Sequence, residues 1–166
     1  LSPMEMQVAL LGLYQRALFR VTLSERSYIA LKIRYIGSLM QRFHEPLRRK
    51  ITISNPRVHH LPDRRRLVDK HDWRKEGWIE AKKKHVSDTI ERNLPSLKGT
   101  PLEEKMRAIQ TSIHFSQLER QVALLGIYHE AIYFVKPNER EYIASWVRRV
   151  GNLLSKNTSP LNRRKP

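Results

Sequence analysis

The chain has 166 residues, with 32 Lys and Arg against 16 Asp and Glu, a formal charge of +16 and a pI near 10.6. A hydrophobic content of 40% suits one domain or two small modules with a real core, while the charge points to a polyanion, an acidic protein or an anionic membrane as partner. Cysteine is absent, which excludes disulfides, thiolate metal sites, iron–sulfur ligation and a cysteine nucleophile, and no apolar run reaches the roughly 18 residues of a bilayer span.

The first residue is Leu1, and a removed targeting peptide would account for it. Ser2, Pro3 and Glu5 form a helix start, with Ser2 as cap and Glu5 closing a capping box. The helix is expected to run to about Val21. Met6, Leu10, Leu13, Ala17 and Val21 recur at helical spacing, widened by Leu11, Tyr14 and Leu18, and this face needs a partner. A turn at Thr22, Leu23 and Ser24, with Ser24 as cap, leads into a second helix carrying Ile29, Ile33, Ile36, Met40 and Phe43 and ending before Pro46.

Residues 47–61 read as an extended strap, opening on Arg48, Arg49 and Lys50 and broken by Pro56. Residues 63–92 are helix-like, with Val68, Trp73, Trp78, Ile79, Val86 and Ile90 as apolar positions and Gly77 weakening the pattern. Thr100 and Pro101 start a short helix running to about His114. Residues 121–154 then align without a gap on residues 7–40, at a constant offset of 114 and with 17 of 34 positions identical. Here Lys136, Pro137 and Asn138 form the turn, with Asn138 as cap, and Ile143, Val147, Val150 and Leu154 carry the second helix. The expected fold is all-α: two helical hairpins, a pseudo-repeat, joined by a basic and partly helical middle. The parts are residues 1–46, 47–99, 100–157 and a basic tail, 158–166, with Arg163, Arg164 and Lys165.

The first hairpin reads LLGLYQRALFR and, downstream, LMQRF. This resembles the LYR-motif family of small basic mitochondrial proteins, in which Leu-Tyr-Arg or Leu-Tyr-Lys begins helix one and a Phe follows in helix two. Leu13 and Tyr14 match the first two positions, Gln15 stands where the family has its basic residue, and Arg16, Arg20 and Phe43 fit the surrounding pattern. In the second copy the motif reads Ile127, Tyr128, His129 and Glu130, with Asn157 in place of Phe43. The resemblance implies a three-helix module that binds mitochondrial acyl carrier protein, takes its 4′-phosphopantetheine-linked acyl chain between the helices and attaches the pair to a larger complex in the mitochondrial matrix. It places the carrier on Leu13, Tyr14, Arg16, Arg20, Lys32, Arg34, Arg42 and Phe43. The residues permit this on their own terms: Arg16, Arg20, Lys32, Arg34 and Arg42 would face an acidic protein, and small Ala9, Gly12 and Ala17 would leave room for an alkyl chain. A packing reading stands beside it. Leu13, Leu18, Ile36 and Phe43 are core positions by spacing, Tyr14 and Tyr28 recur as Tyr128 and Tyr142, and Gly12 and Gly37 recur as Gly126 and Gly151, as close helix crossings require.

Between Arg48 and Lys84 there are 13 Lys or Arg against 5 Asp or Glu. Arg48, Arg49, Lys50, Arg64, Arg65, Arg66, Lys82, Lys83 and Lys84 would neutralise RNA phosphates, and Trp73 and Trp78 either stack on unpaired bases or pack onto the hairpins. Catalysis is not expected: no phosphate loop or nucleophile elbow is present, and His59 and His60 lack acidic or cysteine neighbours at metal-binding spacing. No metal and no directly bound cofactor are expected. Three non-catalytic roles remain: an adaptor of the mitochondrial ribosome or its assembly intermediate, holding carrier protein and touching ribosomal RNA and proteins; an accessory subunit of respiratory complex I that docks the carrier; and a helical RNA-binding protein without a carrier. The dense basic middle favours the first.

Overall fold

The computed structural model describes residues 2–43, 47, 77–158 and 161. The expected strap, the pattern over 63–76, the runs at Arg48 and Arg64, His59, His60, Trp73 and the cations of the tail lie outside the described residues. The described chain is all-helical: α1 (Pro3–Ala17), α2 (Leu23–Arg42), α3 (Trp78–Asn93), a 3-10 turn (Pro95–Leu97), α4 (Pro101–Thr111), α5 (Gln117–Ala131) and α6 (Pro137–Lys156). Every boundary of α5 and α6 falls 114 residues after its counterpart in α1 and α2.

Each of these helices starts at a residue whose N–H is held by a glutamate three positions on. Ser2 N donates to Glu5 at 3.0 Å and Glu5 N to Ser2 Oγ at 3.1 Å. Ser116 and Glu119 repeat the box at 2.9 and 3.1 Å. The same geometry corrects two expected caps. Thr22 rather than Ser24 caps α2, because Thr22 N donates to Glu25 at 2.9 Å. Lys136 rather than Asn138 precedes α6, because Lys136 N donates to Glu139 at 2.9 Å and Pro137 takes the first helical position. α1 also stops earlier than expected: past Ala17 the chain tightens, with Arg20 N and Val21 N both donating to Ala17 O.

α2 and α6 run antiparallel and make the most extensive helix contact of the described chain. A Cβ at Gly37 would lie 2.9 Å from Arg148 N and 3.0 Å from Ala144 O; one at Gly151 would lie 2.9 Å from Arg34 N and 3.0 Å from Ala30 O. Two glycines and two alanines thus let the backbones touch, in mutually matching positions. Ile29, Ile33, Ile36 and Met40 then meet Ile143, Val147, Val150 and Leu154 in one core, each large aliphatic contributing about 1.5–3 kcal/mol by burial. Arg26, buried, donates to the carbonyl of Asn157 at the end of α6, where a cation suits the helix dipole.

α1 and α5 cross in the same matched manner. The ring of His129 fills the space at Gly12, where a Cβ would come within 2.6 Å, and Gln15 fills the space at Gly126 while its Nε2 donates to Val122 O at 2.9 Å. The room expected at Gly12 for an alkyl chain is therefore taken by a side chain of α5. The face that α1 commits to the core is Met4, Val8, Leu11 and Leu18. That is the side opposite the expected stripe of Met6, Leu10, Leu13 and Ala17, so α1 is apolar on two faces and the sequence periodicity pointed to the outer one. α3, the 3-10 turn and α4 form a layer over α5, with Leu102 and Met106 buried beneath it.

Candidate docking face

The residues expected to bind a carrier lie on α1, on α2 and in the turn between them, and the structure does not gather all of them on one face: Arg34 lies against α6. Leu13 is exposed, against its expected place in the core, and Phe43, at the C-cap of α2, is half exposed as well. Leu18 and Ile36 are buried as expected. Tyr14 is half-buried against the core, whereas its counterpart Tyr128 is fully buried, edge-on to Trp146 with ring centroids 4.5 Å apart. Burial pushes the Tyr128 phenol far above its ordinary value. Tyr128 is a core residue, and Tyr14 is a boundary one.

The expected cations take distinct places. Arg16 is half-buried near the end of α1, and Arg20 is exposed in the turn. Lys32 Nζ lies 5.6 Å from the centroid of the Tyr28 ring, a cation–π contact. Arg34 is exposed, its stem lying along Gly151, and Arg42 is exposed in the last turn of α2. The structure adds three residues that spacing had not assigned to a site. Tyr28, Leu31 and Tyr35 are all about half exposed and, three and four residues apart, share one stripe of α2. Their signal was present as apolar residues surplus to the Ile29, Ile33, Ile36 and Met40 stripe. At the α1–α2 turn, Leu18, Phe19, Val21, Leu23, Arg26, Thr158 and Leu161 line a cavity of about 330 Å³.

Among the expected RNA contacts, Lys82, Lys83 and Lys84 lie on α3. Lys83 pairs with Glu80 at 3.6 Å, and Lys84 is exposed. Trp78 is half-buried, with Lys82 Nζ and the Arg120 guanidinium each 5.7 Å from its ring centroid. It therefore ties α3 to α5, a packing contact onto the first helix of the second pair.

The second helix pair differs at the same surface. Arg120, buried, donates to Ser112 O at 2.7 Å and to Ile109 O at 3.4 Å, and Ser96 N donates to Glu139 at 2.9 Å. These bonds seat the α3–α4 layer on α5 and the start of α6. Burial raises the Glu139 carboxyl, but the bonds from Ser96 and Lys136 outweigh it and hold the group below the usual carboxylate value. Comparison of the chain with family models, with curated proteins and with solved structures returns no match.

Proposed function

We propose that the protein is a non-catalytic adaptor built from two copies of one LYR-like helical hairpin, which docks an acidic acyl carrier protein on the first copy and contacts ribosomal RNA through its basic middle, within a mitochondrial ribosome or its assembly intermediate. The observation that carries this reading is the apolar stripe of Tyr28, Leu31 and Tyr35 left exposed on α2 beside Lys32 and Arg42 of the same helix. An exposed apolar patch rimmed by cations suits an acidic protein partner. The 17 identities in 34 aligned positions and the common offset of all four helix boundaries support the two-copy reading.

A carrier's 4′-phosphopantetheine acyl chain is a flexible hydrocarbon held through a partner. Leu18, Phe19, Val21 and Leu23 around the cavity at the α1–α2 turn fit such a chain, and they would hold it through burial, at about 0.8 kcal/mol per methylene. The RNA contact rests on the 13 cations against 5 acids between Arg48 and Lys84.

The test is sedimentation of the native assembly with and without ribonuclease, followed by intact mass of the co-migrating proteins. Expected are a nuclease-sensitive heavy particle and an acidic protein carrying 4′-phosphopantetheine. A particle indifferent to ribonuclease would overturn the RNA contact, and the absence of the acidic protein would overturn the carrier.

A further inference from the structure

The two helix pairs expose opposite amounts of the same surface. On α1, Met6 and Leu13 are 53% and 38% exposed; 114 residues on, Arg120 and Ile127 are 2% and 8% exposed. Leu10 is half-buried, whereas Leu124 is fully buried. On α2, Tyr28 is 56% exposed and Glu25 is exposed; Tyr142 is half-buried and Glu139 is fully buried. On each first helix these positions share one stripe by helical spacing, and on the second pair Tyr142 of α6 adjoins α5, edge-on to Tyr128 with ring centroids 6.4 Å apart. On α5 and α6 the cover is the chain's own α4, with α3 and the 3-10 turn, bonded through Arg120 and Glu139. Among the described residues, nothing takes that place on α1 and α2.

The cover has a definite chemistry. α4 is amphipathic, burying Leu102, Met106 and Gln110, with Glu103 and Glu104 in its first turn. Both carboxylates are neutralised within α4 by Arg107, at 3.0 Å each. The rims of the two faces differ in the matching way. Arg16, Arg20 and Lys32 around the open face correspond to Glu130, Phe134 and Trp146 around the covered one. The rim of the open face is therefore more positive than the rim that α4 covers, a charge difference that favours a carboxylate-rich helix there. A second copy of this chain is a poor occupant, because each carries +16.

We propose that the face of Met6, Leu10, Leu13 and Tyr28 takes an amphipathic, carboxylate-rich helix of an acidic partner in the position that α4 holds on α5. The chain's own α4 keeps the second hairpin closed, so each chain binds one such partner and not two. This rests on the reading of the hairpins as two copies of one module, and it assigns the stoichiometry and the docking surface that the carrier reading leaves open.

The test is calorimetric titration of the full chain with two probes. One is an acidic acyl carrier protein; the other is a peptide of residues 98–116 with Lys105→Glu and Arg107→Glu. Expected is one equivalent, with affinity falling at least tenfold in the Leu13→Glu, Tyr28→Glu double variant. Both of those side chains are exposed, so the helical circular dichroism should be unchanged. Either probe behaving so supports the proposal. Two equivalents, binding indifferent to the double variant, binding of neither probe, or self-association of the free chain through this face would each overturn it. Peptide binding without carrier binding would sink the carrier as the partner and leave the docking face standing.

Discussion

At the scale of single residues, the two glycines of the α2–α6 crossing decide how closely the helices lie. Alanine is the better helix former by about 1 kcal/mol, so Gly37→Ala and Gly151→Ala would stabilise isolated helices. Here the added methyl meets the backbone of the opposite helix at 2.9 and 3.0 Å, and a backbone cannot turn aside as a side-chain tip can. Because the obstacle is backbone, the steric cost falls at the upper end of the usual range of about 1–3 kcal/mol and outweighs the gain. Each variant is expected to lower the melting temperature by several degrees, at about 2–4 °C per kcal/mol for a chain of this size. Thermal unfolding checks this, and an unchanged or higher midpoint would refute the crossing. Arg16 and Arg20 carry a different prediction. The Arg16→Glu, Arg20→Glu double variant should release an acidic carrier, whereas Glu130→Arg, on the covered hairpin, should leave its binding intact in the same pull-down. The glycines were legible in the sequence because they recur at the offset of 114. The exposure of Leu13 and Tyr28 was not. A residue on an apolar stripe looks the same from its spacing whether α4 covers it or solvent does.

At the scale of elements, helix existence was legible and helix ends less so. The Ser-x-x-Glu box placed the start of α1, but Ser24 and Asn138, both good capping residues, drew the next starts two residues too late. Glu25 and Glu139 settle the matter, since a glutamate at the third helical position reaches back to the residue before the helix. Glu139 also receives Ser96 N, and so joins the cap of α6 to the layer over α5. Its carboxyl is held below the ordinary value of 4.5. A group with a depressed pKa in the fold is more readily ionised there than in the unfolded chain. Its contribution is therefore present above the unfolded value and is lost as pH falls through the folded one. Glu139→Gln should cost about 1–3 kcal/mol near neutrality, the usual range for a buried bond to a charged group. The gap to the parent should narrow below about pH 4. Urea unfolding at pH 7 and pH 3 measures both, and a gap constant with pH would show that the carboxylate charge plays no part.

At the scale of the whole molecule, the charge named a class of partner but not where each partner goes, because net charge carries no position. The all-helical fold followed from caps and spacing. The pairing of α2 with α6 did not, since recurring glycines mark a close crossing without showing which helices cross, and α1, apolar on two sides, leaves the choice of its inner face to its neighbours. α3 presents the described part of the basic middle, and its three lysines are not equivalent. Lys82 lies over Trp78, which also receives Arg120, so Lys82 belongs to the seating of α3 on α5. Lys83 and Lys84 are exposed; the ion pair of Lys83 with Glu80, at 3.6 Å, joins two solvated side chains and holds it weakly. If α3 lies on RNA, the Lys83→Gln, Lys84→Gln double variant removes up to two phosphate contacts without loosening the fold. Each contact contributes about 0.7–0.9 to the slope of log affinity against log salt. The double variant should therefore lower the magnitude of that slope by about 1.4–1.8 in filter binding to RNA and leave the melting temperature unchanged. Lys82→Gln should show the reverse, a lowered melting temperature with little change in slope. An unchanged slope in the double variant would confine any RNA contact to the segment between α2 and α3 and to the tail.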